Sequence, residues 1–310
     1  MSKFMKSLCK IAIPVTLQSM LQASFSIVDQ IMIGQLGETN ISAVGLCGNF
    51  SLIFSVVIGA VSTVAGILIA QFIGAEDTKE AWSSFDVSLI SGMVIATLFL
   101  FAAGVFPSQI LGLYTRDVSI VNTGAVYFRI VAFSYIPMAA GNILSSWLRC
   151  REHAIIPFWA GFGAVAVNTG LNYLLIFGKF GSPCMGIKGA AIATLISQLF
   201  NLAFIAVGFA LCIRKDEDKP VWSLRFSKIT IKDYLIMIMP ILVSEFLWSL
   251  GQNVESAVYG HLGMANLAAY TLTCPIQGLI VGALSGLSAA AGVIVGINFY
   301  KNQTEIAKKN

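Results

Sequence analysis

Three acidic residues lie inside long apolar stretches of this sequence, namely Asp29, Glu245 and Glu255. A charged side chain at the centre of a bilayer costs about 2.5–3.5 kcal/mol on insertion scales, so each of them is a candidate functional residue. In that setting a carboxylate can reversibly bind a proton or Na⁺. The structural alternative is a buried acid that neighbouring helices satisfy without any ligand.

Asp29 shares a helical face with other polar residues. Gln18, Gln22, Ser26 and Asp29 are spaced by four, four and three residues, which places them on one side of an α-helix. Pro14 lies near the start of the same stretch and loosens its hydrogen bonding. A polar stripe of this kind faces a cavity or the interior of a bundle and not lipid.

Amide and hydroxyl side chains in three later apolar stretches could complete the oxygen shell of a bound cation. Asn168 and Asn172 are four residues apart and share a face. Asn142 and Thr194 are weaker examples of the same kind. Such groups also hold membrane helices together by hydrogen bonds, and this interpretation stays open for all four.

The two glutamates of the later stretch do not point the same way. Ten residues turn a helix through about 1000°, so Glu245 and Glu255 lie about 80° apart around the axis. The sequence leaves open which of them faces a cavity and which faces a neighbouring helix. Asp86 lies close to the end of another stretch, within reach of water, and we expect a structural role for it.

The composition excludes an ordinary soluble domain. Of the 310 residues, 57% are hydrophobic and 11% are charged, and the mean hydropathy is +0.82. A soluble domain carries about 25% charged residues.

Apolar runs bounded by polar, Gly or Pro residues predict eight helices, each longer than the roughly 20 residues that cross the hydrocarbon core. The predicted spans are 10–35, 44–73, 86–112, 121–148, 156–177, 187–213, 234–260 and 267–299.

The remaining reactive residues form no catalytic or metal-binding pattern. The six cysteines occur singly, without metal-ligand or redox spacing, and are interpreted as apolar packing residues. His153 and His261 sit at predicted helix ends without a partner motif, and no Gly-rich phosphate loop with a lysine is present. We therefore expect no enzyme and no metal site. The net charge of +4 falls in loops and indicates topology, not a nucleic-acid partner.

The distribution of Lys and Arg predicts the orientation. With the N-terminus inside, the predicted cytoplasmic segments hold fifteen basic residues and the outer loops hold three, a strong positive-inside bias. Both termini are therefore expected in the cytoplasm. The basic N-terminus lacks a small-residue cleavage site, so the first apolar stretch is interpreted as a span and not as a signal peptide.

Spans one and seven match each other at an ungapped shift of 226 residues. At this shift Pro14 aligns with Pro240 and Asp29 aligns with Glu255. The Gly-x-Leu-Gly turn at 34–37 aligns with the one at 260–263. Because six spans separate them, both have the same orientation, and the repeat is parallel with its axis along the membrane normal. The predicted domains are a six-helix lobe at 1–213, a cytoplasmic linker at 214–233 and the first two helices of a second lobe at 234–310.

The whole chain resembles the multidrug and toxin extrusion (MATE) family. The motifs that carry the resemblance lie at 28–37, 40–45, 70–77, 168–178, 189–194 and 240–263. Members of that family are twelve-helix antiporters with two six-helix lobes around a central cavity. The resemblance implies an all-α integral membrane protein of the cell membrane that exports small cationic amphipathic compounds. It also implies no cofactor other than H⁺ or Na⁺ as coupling ion, and no obligate protein partner.

The resemblance also implies roles for particular residues. Asp29, Asn168, Asn172 and Thr194 would form the cation site of the first lobe, with Asn142 as a further candidate. Some members carry an aspartate at the position of Asn172, so Asp29 is the single acid of this cluster.

The second lobe leaves more alternatives open. Glu245 is the better match to the family's seventh-helix acid, whereas the internal repeat favours Glu255. Spans nine to twelve have no counterpart in these 310 residues. The alternatives to an antiporter are therefore a truncated, inactive membrane fragment of one, or a related lipid-linked oligosaccharide flippase. The flippase is disfavoured because such proteins line the cavity with Arg and Lys, and here Arg129 is the only basic candidate inside a span.

Overall fold

The computed structural model describes residues 3–114, 117–215 and 231–261, together with 280–282, 284, 288 and 290–292. Apart from turns and two short 3₁₀ segments, the chain up to residue 261 is α-helical wherever it is described. Its helices are α1 (Lys3–Gly34), α2 (Glu38–Gly74), α3 (Thr78–Val105), α4 (Pro107–Gly112), α5 (Val118–Val131), α6 (Tyr135–Cys150), α7 (Ile155–Phe177), α8 (Ile187–Lys215) and α9 (Ile231–His261).

Five segments of the described chain are long and apolar enough to cross a membrane, which confirms an all-α integral membrane protein. Helices α1 and α9 contain shorter apolar segments, Ala12–Leu21 and Ile236–Gly251. Seven of the eight predicted spans thus coincide with helices, and most of the eighth lies outside the described residues. The five spanning segments are Thr39–Gly74, Thr78–Val105, Val118–Cys150, Ile155–Phe177 and Ile187–Arg214.

The predicted bounds of the third span, 86–112, are wrong at both ends. Helix α3 begins eight residues earlier, at Thr78, because the Asp77 carboxylate accepts a hydrogen bond from the Glu80 backbone N–H at 3.2 Å and caps the helix. The helix ends at Val105, and Pro107 begins the separate short helix α4.

The fourth span is built from two helices. Helices α5 and α6 are joined by a 3₁₀ turn at Ala132–Ser134. Pro137 has no N–H for an α-helical hydrogen bond to the residue four positions earlier, which favours a break at this point. The break leaves α6 as an amphipathic helix whose polar face can point into the bundle.

Close packing between α7 and α8 positions the polar residues of both helices. Gly178 ends α7 in the left-handed region, at φ +65°. Gly189, near the start of α8, lies so close to α7 that a Cβ there would be 2.7 Å from the carbonyl carbon and oxygen of Leu175. On its other side α7 packs against α1, and α8 packs against α6. Helices α1, α6, α7 and α8 therefore surround a common space.

Helix α9 packs against the first six spans through α2 and α3. The Tyr234 hydroxyl donates to Ser88 Oγ at 3.2 Å and lies 3.3 Å from Ser91 Oγ. Tyr234 and Ile238 are buried in the same apolar core as the aromatic residues of α3 and α6. The predicted linker, 214–233, falls between α8 and α9, and its residues 216–230 lie outside the described part of the chain.

Candidate functional site

A polar cavity of about 380 Å³ lies between α1, α6, α7 and α8. Four of the residues predicted from sequence line it: Asp29, Asn142, Asn168 and Thr194. Gln18 lines it as well, one part of the polar stripe predicted on the first span. The side chains of Gln22 and Ser26, the other members of that stripe, lie outside the described residues.

The centre of the site is a hydrogen bond between α1 and α7. Asn172 Nδ2 donates to Asp29 Oδ1 at 2.9 Å and lies 3.1 Å from the side-chain amide of Asn168. Asn172 is only 2% exposed. Hydrogen bonds to a charged group contribute about 1.5–3 kcal/mol, roughly twice the value for neutral pairs, so this contact fixes the carboxylate in place.

The amide of Asn168 also serves the Asp29 carboxylate. With its nitrogen toward α1, it donates to both carboxylate oxygens of Asp29, each at 2.9 Å. An ionised Asp29 is therefore held by amide donors from two residues of α7.

A buried acceptor in this cluster has no donor. Asn172 Oδ1 is inaccessible to solvent and has no hydrogen-bond partner among the described residues. An unsatisfied buried acceptor costs about 1–3 kcal/mol, so such a group usually has a ligand or a water. Carboxylate, amide and hydroxyl oxygens are the ligands that hard cations prefer.

Tyr127 joins the cluster and was missed in the sequence analysis. Its hydroxyl interacts with the Thr194 side chain, and its ring is buried in the core around α5. The Thr194 hydroxyl donates in turn to the Ala190 carbonyl at 3.0 Å. A tyrosine in the middle of a predicted span signals a buried hydroxyl that needs a partner, and this signal could have identified it.

Asn142 lies in the wall of the cavity but not in the Asp29 cluster. Its backbone carbonyl accepts a hydrogen bond from Ser62 Oγ at 3.1 Å, which ties α6 to α2. No hydrogen bond joins Asn142 to Asp29 within the described structure. Its side chain contributes polarity to the cavity.

Arg149 also lines the cavity and was not identified as a cavity residue from the sequence. Helix α6 continues to Cys150, and Asn142, Ser145 and Arg149 lie at i, i+3 and i+7 on one helical face. Arg129, the basic candidate inside the predicted span, is exposed on α5.

The second-lobe acids are placed apart from this cavity. Glu245 is exposed on α9 and lines a groove of about 250 Å³ against α2, together with Ser55, Gly59 and Thr63. The Glu255 side chain lies outside the described residues. Both acids therefore remain candidate functional residues of the second lobe. The structure describes the neighbours of Glu245 but not those of Glu255.

The donor set of the Asp29 site suits a proton or a monovalent ion better than a transition metal. No cluster of three or more His, Cys, Asp and Glu residues occurs in the described part of the chain. Asp29 is surrounded by amides and a hydroxyl, which are neutral oxygen ligands.

These features define a multi-pass helical membrane protein with a polar site inside one six-helix bundle. The MatE family model matches residues 14–174 and 240–310, and the chain belongs to this family. The expected family relationship is thereby confirmed.

Named relatives and solved structures agree with that assignment. The chain is 26% identical over 306 residues to the "Probable multidrug resistance protein NorM" of Thermotoga maritima, covering 94% of this chain and 62% of the relative. It is 25% identical to the protein of the same name from Agrobacterium fabrum, covering 94% and 63%. The fold matches a solved structure described as an outward-facing multidrug resistance MATE family transporter, with a TM-score of 0.84 and 21% identity, over 97% of this chain and 66% of the other. The chain thus spans less than two thirds of the length of these curated relatives.

Proposed function

We propose that this chain acts in secondary antiport, in which small cationic amphipathic compounds leave the cell in exchange for H⁺ or Na⁺ by alternating access. The observation that carries the proposal is the Asp29 carboxylate, held at 2.9 Å by Asn172 in the wall of a polar cavity within membrane-spanning helices. We place the protein in the cell membrane with both termini in the cytoplasm, as the positive-inside bias predicts.

Exchange follows from competition for one negative charge. An ionised Asp29 attracts a cationic compound, and a proton or Na⁺ on the same carboxylate removes that attraction. A site with a single acid cannot hold both cations equally well. Binding of the coupling ion therefore favours release of the substrate, and the reverse holds by linkage.

Two features of the cluster support the two candidate ions. The buried Asn172 Oδ1 without a donor gives Na⁺ a neutral oxygen ligand beside the carboxylate. The Asp29 carboxylate itself, in the wall of a cavity between membrane-spanning helices, can take up H⁺. Both ions stay in the proposal, and direct measurement distinguishes them.

The cavity is of a suitable size for a small ligand. Its volume of about 380 Å³ lies in the range of about 300–1,000 Å³ that ligand pockets occupy. Amide and hydroxyl groups from α6 and α8 line it and can orient a bound molecule. The lipid-linked oligosaccharide flippase is less favoured, because Arg149 is the one basic residue of the described cavity wall and Asp29 in the same wall repels an anionic pyrophosphate.

The proposal is tested by dye export from efflux-deficient bacteria. Cells that express the 310-residue chain are loaded with ethidium, and its loss on energisation is followed by fluorescence. Asp29→Asn should abolish export, while Asp117→Asn serves as a matched control, because Asp117 is not among the cavity residues and caps α5 by accepting from the Ser119 and Ile120 N–H groups, a role that asparagine can keep. Equal dye retention in wild type and Asp29→Asn would refute the proposal and favour the inactive-fragment alternative.

A further inference from the structure

A second cavity, of about 610 Å³, is an open groove on the outer surface of the bundle between α7 and α8. Its lining is apolar, and Phe200, Phe204, Val207 and Leu211 form one stripe of α8 at spacings of three and four residues. Val207 is 61% exposed and Leu211 59%, although both belong to a segment that is apolar enough to cross a membrane. Such side chains are exposed to something other than water.

Small residues keep the groove open. Ala203 and Gly208 line it between the larger side chains of α8. A Cβ on Gly208 would overlap the side chain of Ile156, so α8 is in close contact with α7 along the groove. At the other end of the groove, a Cβ on Gly163 of α7 would lie 2.7 Å from the ring of Phe200. The hollow is therefore a product of how these two helices pack.

The length of the groove matches one leaflet of a bilayer. Phe200 and Leu211 are eleven residues apart, which is about 16 Å along α8. The hydrocarbon core of a bilayer is about 30 Å thick, so one leaflet contributes about 15 Å. Leu211 lies near the end of α8 that the positive-inside bias assigns to the cytoplasm, and Phe200 lies near the middle of the helix. A lipid chain of the cytoplasmic leaflet therefore fits the groove from end to end.

Hydrogen-bond donors lie at the cytoplasmic end of the groove. His153, in the turn between α6 and α7, is part of the lining. Arg214 is exposed and lies three residues beyond Leu211, on the same face of α8. Glu152 precedes His153, and Arg151 in the same turn balances its charge. Guanidinium and imidazole N–H groups donate to phosphate oxygens, and basic residues on the cytoplasmic side of membrane helices bind anionic lipid head groups.

We propose that the groove between α7 and α8 binds an anionic phospholipid of the cytoplasmic leaflet, with one acyl chain along α8 and the phosphate at His153 and Arg214. This binding site is separate from the Asp29 cavity and does not depend on antiport. The second lobe is a poor candidate for the groove, because α9, its described beginning, packs against α2 and α3, which do not line it. A second copy of the chain in the same orientation would bring two Arg214 side chains to the same end of the contact, where like charges repel.

The test of head-group binding uses the purified full chain in detergent, with bound lipid counted by native mass spectrometry. Dioleoylphosphatidylglycerol is the anionic probe, and dioleoylphosphatidylcholine has the same chains without net charge. Wild type should bind the anionic lipid more tightly. Arg214→Gln should weaken binding of the anionic lipid about fivefold and leave phosphatidylcholine binding unchanged. Lys79→Gln is the matched control, because Lys79 is exposed at the cytoplasmic end of α3, outside the groove, and it should bind both lipids as wild type does.

The test of chain binding fills the groove. Ala203→Phe should weaken binding of both lipids at least about tenfold, because excluding about two methylene groups from the groove is enough for that factor. Val105→Phe adds a ring at an exposed position of α3 outside the groove and should change neither affinity. Phosphatidylglycerol with a diazirine at the end of one chain should label α8 near Phe200 when it is illuminated. Thermal unfolding in detergent confirms that each variant is folded.

Three results would overturn the inference. Wild type could bind the two lipids equally well, Ala203→Phe could bind lipid as well as Val105→Phe does, or the diazirine could label residues outside α7 and α8. Size-exclusion chromatography of the same samples tests the competing occupant. If Ala203→Phe keeps its lipid and instead converts a dimer to a monomer, a second copy of the chain occupies the groove and the lipid site is refuted.

Discussion

The amide of Asn172 on α7 donates to the carboxylate of Asp29 on α1 at 2.9 Å. The two residues are 143 positions apart in the chain, and each lies on the polar face of an otherwise apolar helix. This contact joins the acid that lines the polar cavity to an amide that orients it. The function proposed for the chain depends on this pair.

Removal of the Asn172 amide should change binding of the coupling ion, with opposite signs for Na⁺ and H⁺. In Asn172→Ala, Asp29 loses a charged hydrogen bond, and the buried oxygen proposed as an ion ligand disappears. For Na⁺ we expect the concentration needed for half-maximal export to rise about tenfold, whereas for H⁺ it should fall, because loss of a donor to the carboxylate favours its protonated form. Asn172→Asp, which keeps oxygen ligands at this position, should retain export. An unchanged ion dependence in Asn172→Ala would show that the amide has no part in the ion site.

The hydroxyl of Tyr127 should support the cluster through Thr194. Tyr127→Phe removes the polar contact with Thr194 and leaves the ring packing intact, so the free energy of unfolding should fall by about 1 kcal/mol. Export of ethidium should fall several-fold at limiting coupling ion. Tyr114→Phe is the matched control, because Tyr114 lies exposed in a turn outside the bundle. Equal export by Tyr127→Phe and Tyr114→Phe would remove Tyr127 from the site.

The close approach of α7 and α8 should not tolerate a methyl group. In Gly189→Ala the new Cβ would lie 2.7 Å from the backbone of Leu175, which cannot move without separating the two helices. The free energy of unfolding should fall by about 1–3 kcal/mol. The control is Gly170→Ala, where no heavy atom lies within 4 Å of the new Cβ and the change should be neutral or stabilising. Thermal unfolding in detergent measures both, and a Gly189→Ala variant as stable as wild type would contradict the packing.

Much of the site was predictable from helical spacing. Residues three or four apart share a face whatever the helix packs against, so the sequence could place Asn168 beside Asn172 and Gln18 on the side of Asp29. Hydropathy likewise predicted seven spans that coincide with helices, because lipid requires long apolar segments with internally paired backbones.

The remaining features of the site depend on where each helix ends and on which helices pack against one another. Arg149 was not identified as a cavity residue from the sequence, because hydropathy does not resolve the last turn of a helix, where a basic residue is common. The direction of Glu245, toward α2, follows from packing between helices and has no signature in the periodicity of α9 alone. The contact of Tyr127 with Thr194 joins two distant spans and needed the fold to be seen.

Competition between ions and substrate on the purified protein tests the central claim most directly. Ethidium binding to the detergent-solubilised chain is followed by fluorescence anisotropy while Na⁺ is added or the pH is lowered. The account predicts that one of these ions releases ethidium from wild type and from Asp117→Asn, and that Asp29→Asn binds ethidium at least tenfold more weakly and does not respond to either ion. Equal ethidium affinity and equal release in Asp29→Asn and wild type would contradict it.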